Sequence, residues 1–596
     1  MKTVVIAEKP DLARAIASAY NPNYKKEKAF LDVGNNVYVT WCYGHMLALK
    51  EPRDINPEYR KWNINHLPYK ELLTPDFVVP DKVKGQLNEI VKLSSNADVI
   101  IHAGDPDDEG QRLVDAVIEH MNFKGTVKRV LINDNNTEVV KKQLDSLKDN
   151  SEFKKLSEKA LARSMADLMF GTNMTVAYST HFNSRIFVGR VATSIFSLVV
   201  NRTRDHKNHV PSPYYELENI FNFGGNSLKA KLLSDINAPK DEENRIIKKE
   251  ILDNFQKMVE GKNAEITSVE KKEKEQQPPL PFNLLKLQIE ASKKFGYDAD
   301  ETLKITQDLR EKYKLITYNR SDSQYLNEEH HSEAPVILNA ISNNLSEYAD
   351  LINGNTDSNR KSRAFNDSKV TAHHGIIPTL KKLNSNEKLS EKEKNIYELI
   401  ALRYIAQFLP LRKTEQTVIN IKCESFDFSS TATVEIDKGW RLIVDEENKE
   451  EEETFDIPFS QGDQGVAQEI NVVEKMTKPK PLYTEASLLT DLTQVAKYIK
   501  DLNLKKALIE KDKDKEGERG GIGTPATRSS ILKQLFERDY LAYDKKNIIP
   551  TKESEKIFDL LSDDIKYPDL TAKWQMKLNE IEDGNLSLQR FVNEIN

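Results

Sequence analysis

The chain has 596 residues, 38% of them hydrophobic, with 87 Lys and Arg against 94 Asp and Glu for a net charge of -7. That length exceeds one hydrophobic core and implies several domains. No stretch approaches the roughly 20 apolar residues of a membrane span, and Glu8, Lys9 and Asp11 interrupt any apolar leader. Two distant cysteines, Cys42 and Cys423, exclude a cysteine-rich zinc site and suit a reducing compartment. The acidic balance argues against a uniformly basic surface, so a nucleic-acid path would have to be lined locally with Lys and Arg.

Residues 3–7, Thr-Val-Val-Ile-Ala, form an apolar, β-prone run ending at Glu8-Lys9-Pro10. Residues 98–103 form a second, ending in Gly104-Asp105-Pro106-Asp107-Asp108-Glu109-Gly110. Short apolar runs of this kind read as strands buried on both faces of a parallel sheet. Each precedes a helical pattern: Leu12, Ala13, Ile16 and Ala17 after the first, Leu113, Val114, Val117, Ile118 and Met121 after the second. Strand-loop-helix twice over implies an α/β domain, whose ligands sit beyond the carboxyl ends of the strands. Glu8 and the Asp105-x-Asp107-x-Glu109 set therefore share that edge. Carboxylates so crowded repel one another unless a cation is bound, and hard oxygen donors point to Mg²⁺. The plain alternative is an acidic solvated loop. Gly44-His45, after a strand-like run at 37–43, adds another loop on this edge, with His45 read as structural.

From about 151 the pattern turns helical, with Leu156, Ala160, Leu161, Ala166, Leu168 and Met169 near helical spacing. Residues 211–275 read as strands at 214–223, 228–233 and 264–272 with charged loops. Gln276-Gln277-Pro278-Pro279-Leu280-Pro281 is a stiff, extended joint to helices at 282–295 and 298–313.

The stretch 315–326, LITYNRSDSQYL, follows. Leu315 and Ile316 read as the end of a buried strand, and Asn319 and Ser321 as turn residues. Tyr318, Arg320, Asp322 and Ser323 put a phenol beside a guanidinium. That pairing suits attack on a phosphodiester, with the phenol as nucleophile and the guanidinium as a planar fork on the phosphate. A Tyr-x-Arg triplet alone is usually a surface pair; the acidic site elsewhere in the chain changes the weighing.

Within 371–379, His373 and His374 are adjacent, so their rings diverge and lack the i, i+4 spacing of a helical zinc pair. Strands are expected at 418–423, 429–436, 440–444 and 465–473, building a β-rich arch with 211–275. The acidic run 446–453 reads as a solvated loop and the alternating charges of 511–518 as a mobile one. The rest, from about 480, is helical. There Gly520-Gly521-Ile522-Gly523 precedes Thr524, a good N-cap, and Pro525, a good first helical residue. Glycines let backbone approach a ligand, and a helix amino terminus attracts phosphate.

Ala7-Glu8-Lys9-Pro10 with Leu12-Ala13-Arg14-Ala15-Ile16-Ala17 and Asp-x-Asp-x-Glu-Gly resembles the Toprim domain of topoisomerases and primases. Ile316-Thr317-Tyr318-Asn319-Arg320-Ser321-Asp322-Ser323 resembles the active-site segment of type IA DNA topoisomerases. Blocks around Arg163, Gly171 and Arg190, the Gly-Thr-Pro-Ala-Thr-Arg of 523–528, and Trp574 with 578–584 are similar to that family too. The likeness is greatest to the bacterial topoisomerase III branch and runs from Met1 to about Gly584.

The resemblance implies a multidomain α/β and α+β toroid. Its parts are a Toprim domain at 1–150, a split helical DNA-binding domain at 151–210 and 480–596, a β-rich arch at 211–280 and 410–479, and a tyrosine-bearing lid at 281–409. It implies Tyr318 as nucleophile, Arg320 stabilising the phosphate, Lys9 on the phosphate, Glu8 near the leaving 3′ oxygen and His373 near the scissile bond. It further implies a DNA groove lined by Arg163, Asp167, Arg190, Thr193, Thr524 and Arg528, and Mg²⁺ on Glu8, Asp105, Asp107 and Glu109. Ala192 and Ser194 stand where the family usually has Gln and Pro, which puts the glutamine's DNA contact in doubt.

The expected activity is ATP-independent relaxation and decatenation through a 5′-phosphotyrosine. The expected setting is a monomer in the cytoplasm at the nucleoid, with single-stranded, negatively supercoiled or catenated DNA as substrate, a helicase as possible partner and no membrane. The zinc ribbons that many relatives append are not expected after Asn596. A Toprim nuclease or primase, which forms no covalent adduct, and a silent single-strand-binding scaffold are the alternative readings.

Overall fold

A computed structural model describes residues 1–132, 137–370, 373–444, 459–513 and 517–595. The acidic run 446–453, Thr371, Ala372 and the centre of the 511–518 stretch fall outside the described residues. Among the described residues no helix is long and apolar enough to cross a membrane.

The amino-terminal α/β domain is built on Thr3–Ala7, all of whose residues are buried. It pairs in parallel with Val37–Trp41 on one side and Val99–Ala103 on the other. The full order is Lys25–Lys26, Phe30–Gly34, Val37–Trp41, Thr3–Ala7, Val99–Ala103, Thr126–Arg129, Lys148–Asp149. Side chains alternate across a strand. Val5 and Ala7 pack under Leu12, Ala13, Ile16 and Ala17 of helix Pro10–Tyr20. Val4 and Ile6 face Val83, Leu87 and Ile90 of helix Asp81–Ser94 and Val114 and Val117 of helix Asp108–His120. Because the inner strands are parallel, Glu8 and Gly104 leave the sheet at the same edge, tied by a hydrogen bond from Glu8 N–H to Ala103 O of 3.1 Å.

The helical body joins distant parts of the chain. Ile195, Phe196 and Val199 of helix Arg190–Asn208 pack with Leu488, Leu489, Leu492, Leu532 and Leu535. Ala162, Met165, Ala166 and Met169 of helix Lys154–His181 pack with Trp574, Leu578 and Phe591. A hairpin, Leu541–Asp544 with Asn547–Pro550, interrupts the expected helical run.

The strands of the central region close into a six-stranded barrel. Its order is Pro213–Phe223, Asn226–Leu232, Phe426–Asp437, Arg412–Cys423, Asn263–Gln276 and Gln464–Met476, which returns to the first. Phe221, Phe223, Ile419, Ile421, Phe428 and Ile470 fill it, with Phe255 and Val259 of helix Lys249–Val259 packed against them. Residues 440–444 are not the expected strand. Gly439–Leu442 is a single helical turn, and Trp440 is fully buried in the lid's core with its indole N–H on Gln276 O at 2.9 Å. The reason is local: Gly439 has φ 48 and lies so close to Pro410 O that a Cβ would approach it to 2.4 Å, a bend no strand makes.

The lid packs Leu309, Leu315, Ile316, Ile341, Ile400, Tyr404 and Phe408 into one core. Leu315 and Ile316 are buried as expected but belong to no strand; Ile316 makes one isolated bridge to Pro378. The lid also rests on the helical body, where Gln288 donates to Ser529 Oγ at 2.7 Å and Ala299 N–H to Glu485 Oε1 at 2.6 Å. The α/β domain meets the same body through Tyr69 N–H on Asn173 Oδ1 at 3.1 Å. With the lid also touching the α/β domain, contacts run around a closed circuit, and the fold is a multidomain toroid.

Cys42 and Cys423 are buried free thiols in different cores. Purified protein is expected to carry no stoichiometric zinc; a metal analysis giving one ion per chain would overturn that expectation.

Candidate active site

The acidic edge is folded tightly on itself. Asp105 N–H donates to Glu8 Oε2 at 2.8 Å, and Lys9 Nζ reaches Asp105 Oδ2 at 2.6 Å. Asp107 caps helix Asp108–His120, its Oδ1 accepting from Gly110 N–H at 2.7 Å. A Cβ on Gly110 would lie 2.6 Å from Asp105 N, Asp105 O and Glu8 Oε2. Two of those atoms are backbone and cannot step aside. Gly110→Ala is therefore expected to displace the acidic loop and cut turnover at this edge by about a hundredfold or more, read by activity assays on folded protein.

Arg129, which the sequence reading did not single out, supports this loop from below. It is 1% exposed and donates to the carbonyls of Gly104 and Asp105, both at 2.8 Å, and to Gln111 Oε1 at 2.7 Å. Arg129→Met would leave those carbonyls unpaired, at about 1–3 kcal/mol for each buried group. A loss of stability of that order is expected in denaturant melts.

The lid brings Tyr318 and His373 to this edge. The Tyr318 and His373 rings stack with centroids 4.5 Å apart, and Lys9 Nζ lies 4.6 Å from the Tyr318 ring centre. His373 Nε2 is 3.2 Å from Lys9 Nζ and 3.3 Å from Asp105 Oδ2, and its Nδ1 lies 3.9 Å from Asp322 Oδ1. Thr317 N–H on Ile377 O at 3.0 Å ties the two lid segments together. Asn319 and Ser321 are buried, which anchors the turn from inside, while Arg320 is exposed beside the tyrosine.

The charges divide. Burial, with Asp105 close by, pushes the Glu8 carboxyl up to about 7. Burial works the same way on Asp105, but His373 and Lys9 override it and hold that carboxyl at about 2. Burial also raises Asp107. Burial opposes the charged form of His373, yet Asp105 and Asp322 raise its pKa above the usual imidazole value. The Tyr318 phenol is raised by burial, and Lys9 and Arg320 draw it partly back.

The remaining sequence candidates lie apart from this cluster. Glu109 pairs with Arg163 at 3.0 Å and faces His45 at 3.7 Å; Arg163 also pairs with Asp108. Arg190 holds Asp167 through two hydrogen bonds of 2.8 and 2.9 Å and lies over the Trp574 ring. Thr193 is buried, its hydroxyl accepting from Gly189 N–H at 3.1 Å, so it shapes the start of its helix rather than facing a strand. Thr524 caps helix Pro525–Glu537. Arg528 is fully buried, held by Glu518 at 2.6 and 2.8 Å and by Ile522 O at 2.8 Å, and is not open to a DNA strand in this conformation.

Among the described residues no three His, Cys, Asp or Glu side chains converge as a ready metal cage. Lys9 and His373 stand at Asp105, where a cation would. The donors are nonetheless all oxygen, with the Glu8 and Asp105 carboxylates drawn together at one edge by the Asp105 N–H to Glu8 Oε2 hydrogen bond. That donor chemistry fits a hard ion such as Mg²⁺.

Residues 3–135 match the Toprim domain model, and residues 151–593 match the DNA topoisomerase family model. A DNA topoisomerase 3 of Vibrio cholerae is 37% identical, covering 99% of this chain and 92% of its own length. One from Salmonella typhimurium is 35% identical, covering 98% and 91%. One from Bacillus subtilis is 30% identical, covering 100% and 80%. The full-length topoisomerase I structure from Thermotoga maritima aligns with a TM-score of 0.61 at 22% identity, covering 100% of this chain and 89% of that one, and shares its fold. With an acidic Toprim edge, a tyrosine laid against it and family matches over nearly its whole length, the chain belongs to the type IA DNA topoisomerases, in the bacterial topoisomerase III branch.

Proposed function

We propose that Tyr318 cleaves one DNA strand and that the enzyme relaxes and decatenates DNA by passing a second strand through the gap. One observation carries this reading: the Tyr318 ring is stacked on His373 under Lys9, at the edge that bears Glu8 and Asp105. The phenol gives up its proton to solvent and its oxygen forms a bond to phosphorus as the bond to the 3′ oxygen breaks, so the 5′ phosphate stays on the protein and no ATP is consumed. Lys9 and Arg320 offset charge on the phosphate. Glu8, whose carboxyl is poised near neutrality, donates a proton to the departing 3′ oxygen and takes it back on resealing. His373 holds Tyr318 in place, and the neighbouring Asp105 favours its charged form. Glu8, Asp105 and Asp107 would hold Mg²⁺, which when bound would supply alignment of the 3′ hydroxyl for resealing. Glu109, engaged with Arg163, then supports the ion from further out.

In this reading the chain divides at about 150, 210, 280, 409 and 479, and the lid at 281–409 lifts with one DNA end attached. Arg163, Asp167, Arg190 and Thr524 line the single-strand groove. Arg528 joins them once Glu518 releases it, and Thr193 acts by positioning. The enzyme works as a cytoplasmic, nucleoid-associated monomer on single-stranded, negatively supercoiled or catenated DNA, with a helicase as a possible partner. The test is direct: incubate labelled single-stranded DNA with the protein and Mg²⁺, denature, and look for label bound covalently to protein. Cleavage without an adduct would instead favour a Toprim-type nuclease.

A further inference from the structure

Asp11 sits in the first turn of helix Pro10–Tyr20, close to Lys9, and Arg310 in the last turn of helix Ala299–Glu311, shortly before Tyr318. They form an ion pair across the boundary between the Toprim domain and the lid. Arg14 of the same helix as Asp11 pairs with it too. The guanidinium carbon of Arg310 lies 4.7 Å from the centre of the Tyr318 ring. That ring therefore has three neighbours of this kind: Lys9 from the Toprim domain, and His373 and Arg310 from the lid. A guanidinium both stacks on an aromatic face and binds a carboxylate by its fork, which an ammonium does less well. Asp11 takes no part in the phosphate chemistry, so its pairing with Arg310 reports only whether the lid is shut.

We propose that Arg310 is a positioning residue that couples lid closure to alignment of Tyr318. Its pairing with Asp11 forms only in the shut state, and in that state the guanidinium is laid on the nucleophile's ring. Lifting the lid takes Arg310, Tyr318 and His373 away from Asp11, Lys9 and Asp105 together, so the pair breaks and re-forms once per strand passage. The inference rests on Tyr318 being the nucleophile.

The experiment uses the full chain with dyes on Lys84→Cys and Ser385→Cys, both exposed positions, the native cysteines being buried. Energy transfer reads the lid, and a denaturing adduct assay reads cleavage. Arg310→Gln should slow adduct formation about tenfold at saturating single-stranded DNA and shift the dyes towards the open distance, with affinity nearly unchanged. Asp11→Asn should open the lid to a similar extent but slow cleavage less, since the guanidinium stays near the ring. The exchange Asp11→Arg with Arg310→Asp should restore the shut distance without restoring the rate, because no cation then lies on Tyr318 from the lid. Arg310→Lys should keep most of both readouts. A wild-type adduct rate in Arg310→Gln overturns the proposal, as does a dye distance unmoved by both single substitutions. Loss of both readouts in Arg310→Lys as great as in Arg310→Gln would show a packing role only and overturn it as well. An adduct formed by Tyr318→Phe would overturn the underlying reading instead.

Discussion

Tyr318→Phe should abolish covalent adduct formation and relaxation, by at least about 10⁴-fold, while leaving single-strand binding intact. The substitution removes one oxygen and keeps the ring. The stacking on His373 and the cations at Lys9 and Arg310 all engage the ring face, so the local structure should survive. The groove candidates Arg163, Arg190 and Thr524 belong to other elements and are untouched. Gel-shift titration with single-stranded DNA and the denaturing adduct assay separate the two effects. Full relaxation in this variant would sink the assignment and make Tyr325 the next suspect.

The carboxylates should divide into two jobs, and the division sets up the second large effect. Glu8→Ala removes the carboxyl that burial pushes up to about 7, so cleavage itself should fall, by about 10²–10⁴-fold as for a lost general acid. Asp105 is ionised, held low by His373 and Lys9. Asp105→Asn and Asp107→Asn should retain part of the cleavage while losing multiple-turnover relaxation, and added Mg²⁺ should partly rescue them. Adduct formation and relaxation are scored separately for each variant across a Mg²⁺ titration. If both aspartate variants relax plasmid normally at limiting Mg²⁺, the ion is not held here and the loop is only an acidic turn. Asp105→Asn also weakens the hold on Lys9 and His373. Its effect on cleavage should therefore exceed that of Asp107→Asn, whose side chain caps a helix.

What the sequence determined by itself is local and periodic. Thr3–Ala7 could be read as a doubly buried strand because every residue in it is apolar or β-branched, and Glu8 follows at the edge where parallel strands present ligands. Thr524 could be read as a cap because the hydroxyl that accepts a helix N–H lies within three residues of it. The tyrosine segment was legible because its four functional groups are neighbours in the chain.

The tertiary structure alone decided whatever joins residues far apart in sequence. Closure of the barrel pairs Pro213–Phe223 with Gln464–Met476, and alternation within a strand says nothing about which strand will lie beside it. Trp440 was read as part of a strand because its neighbours alternate, but the bend at Gly439 and packing in the lid's core turned it inward. Arg129, Arg310 and Arg528 look alike in sequence, as solvated arginines do. One props the acidic loop, one lies on the nucleophile, and one is locked to Glu518. A guanidinium's role is set by the carbonyls, ring or carboxylate that packing brings to it, and a linear pattern carries no record of those partners.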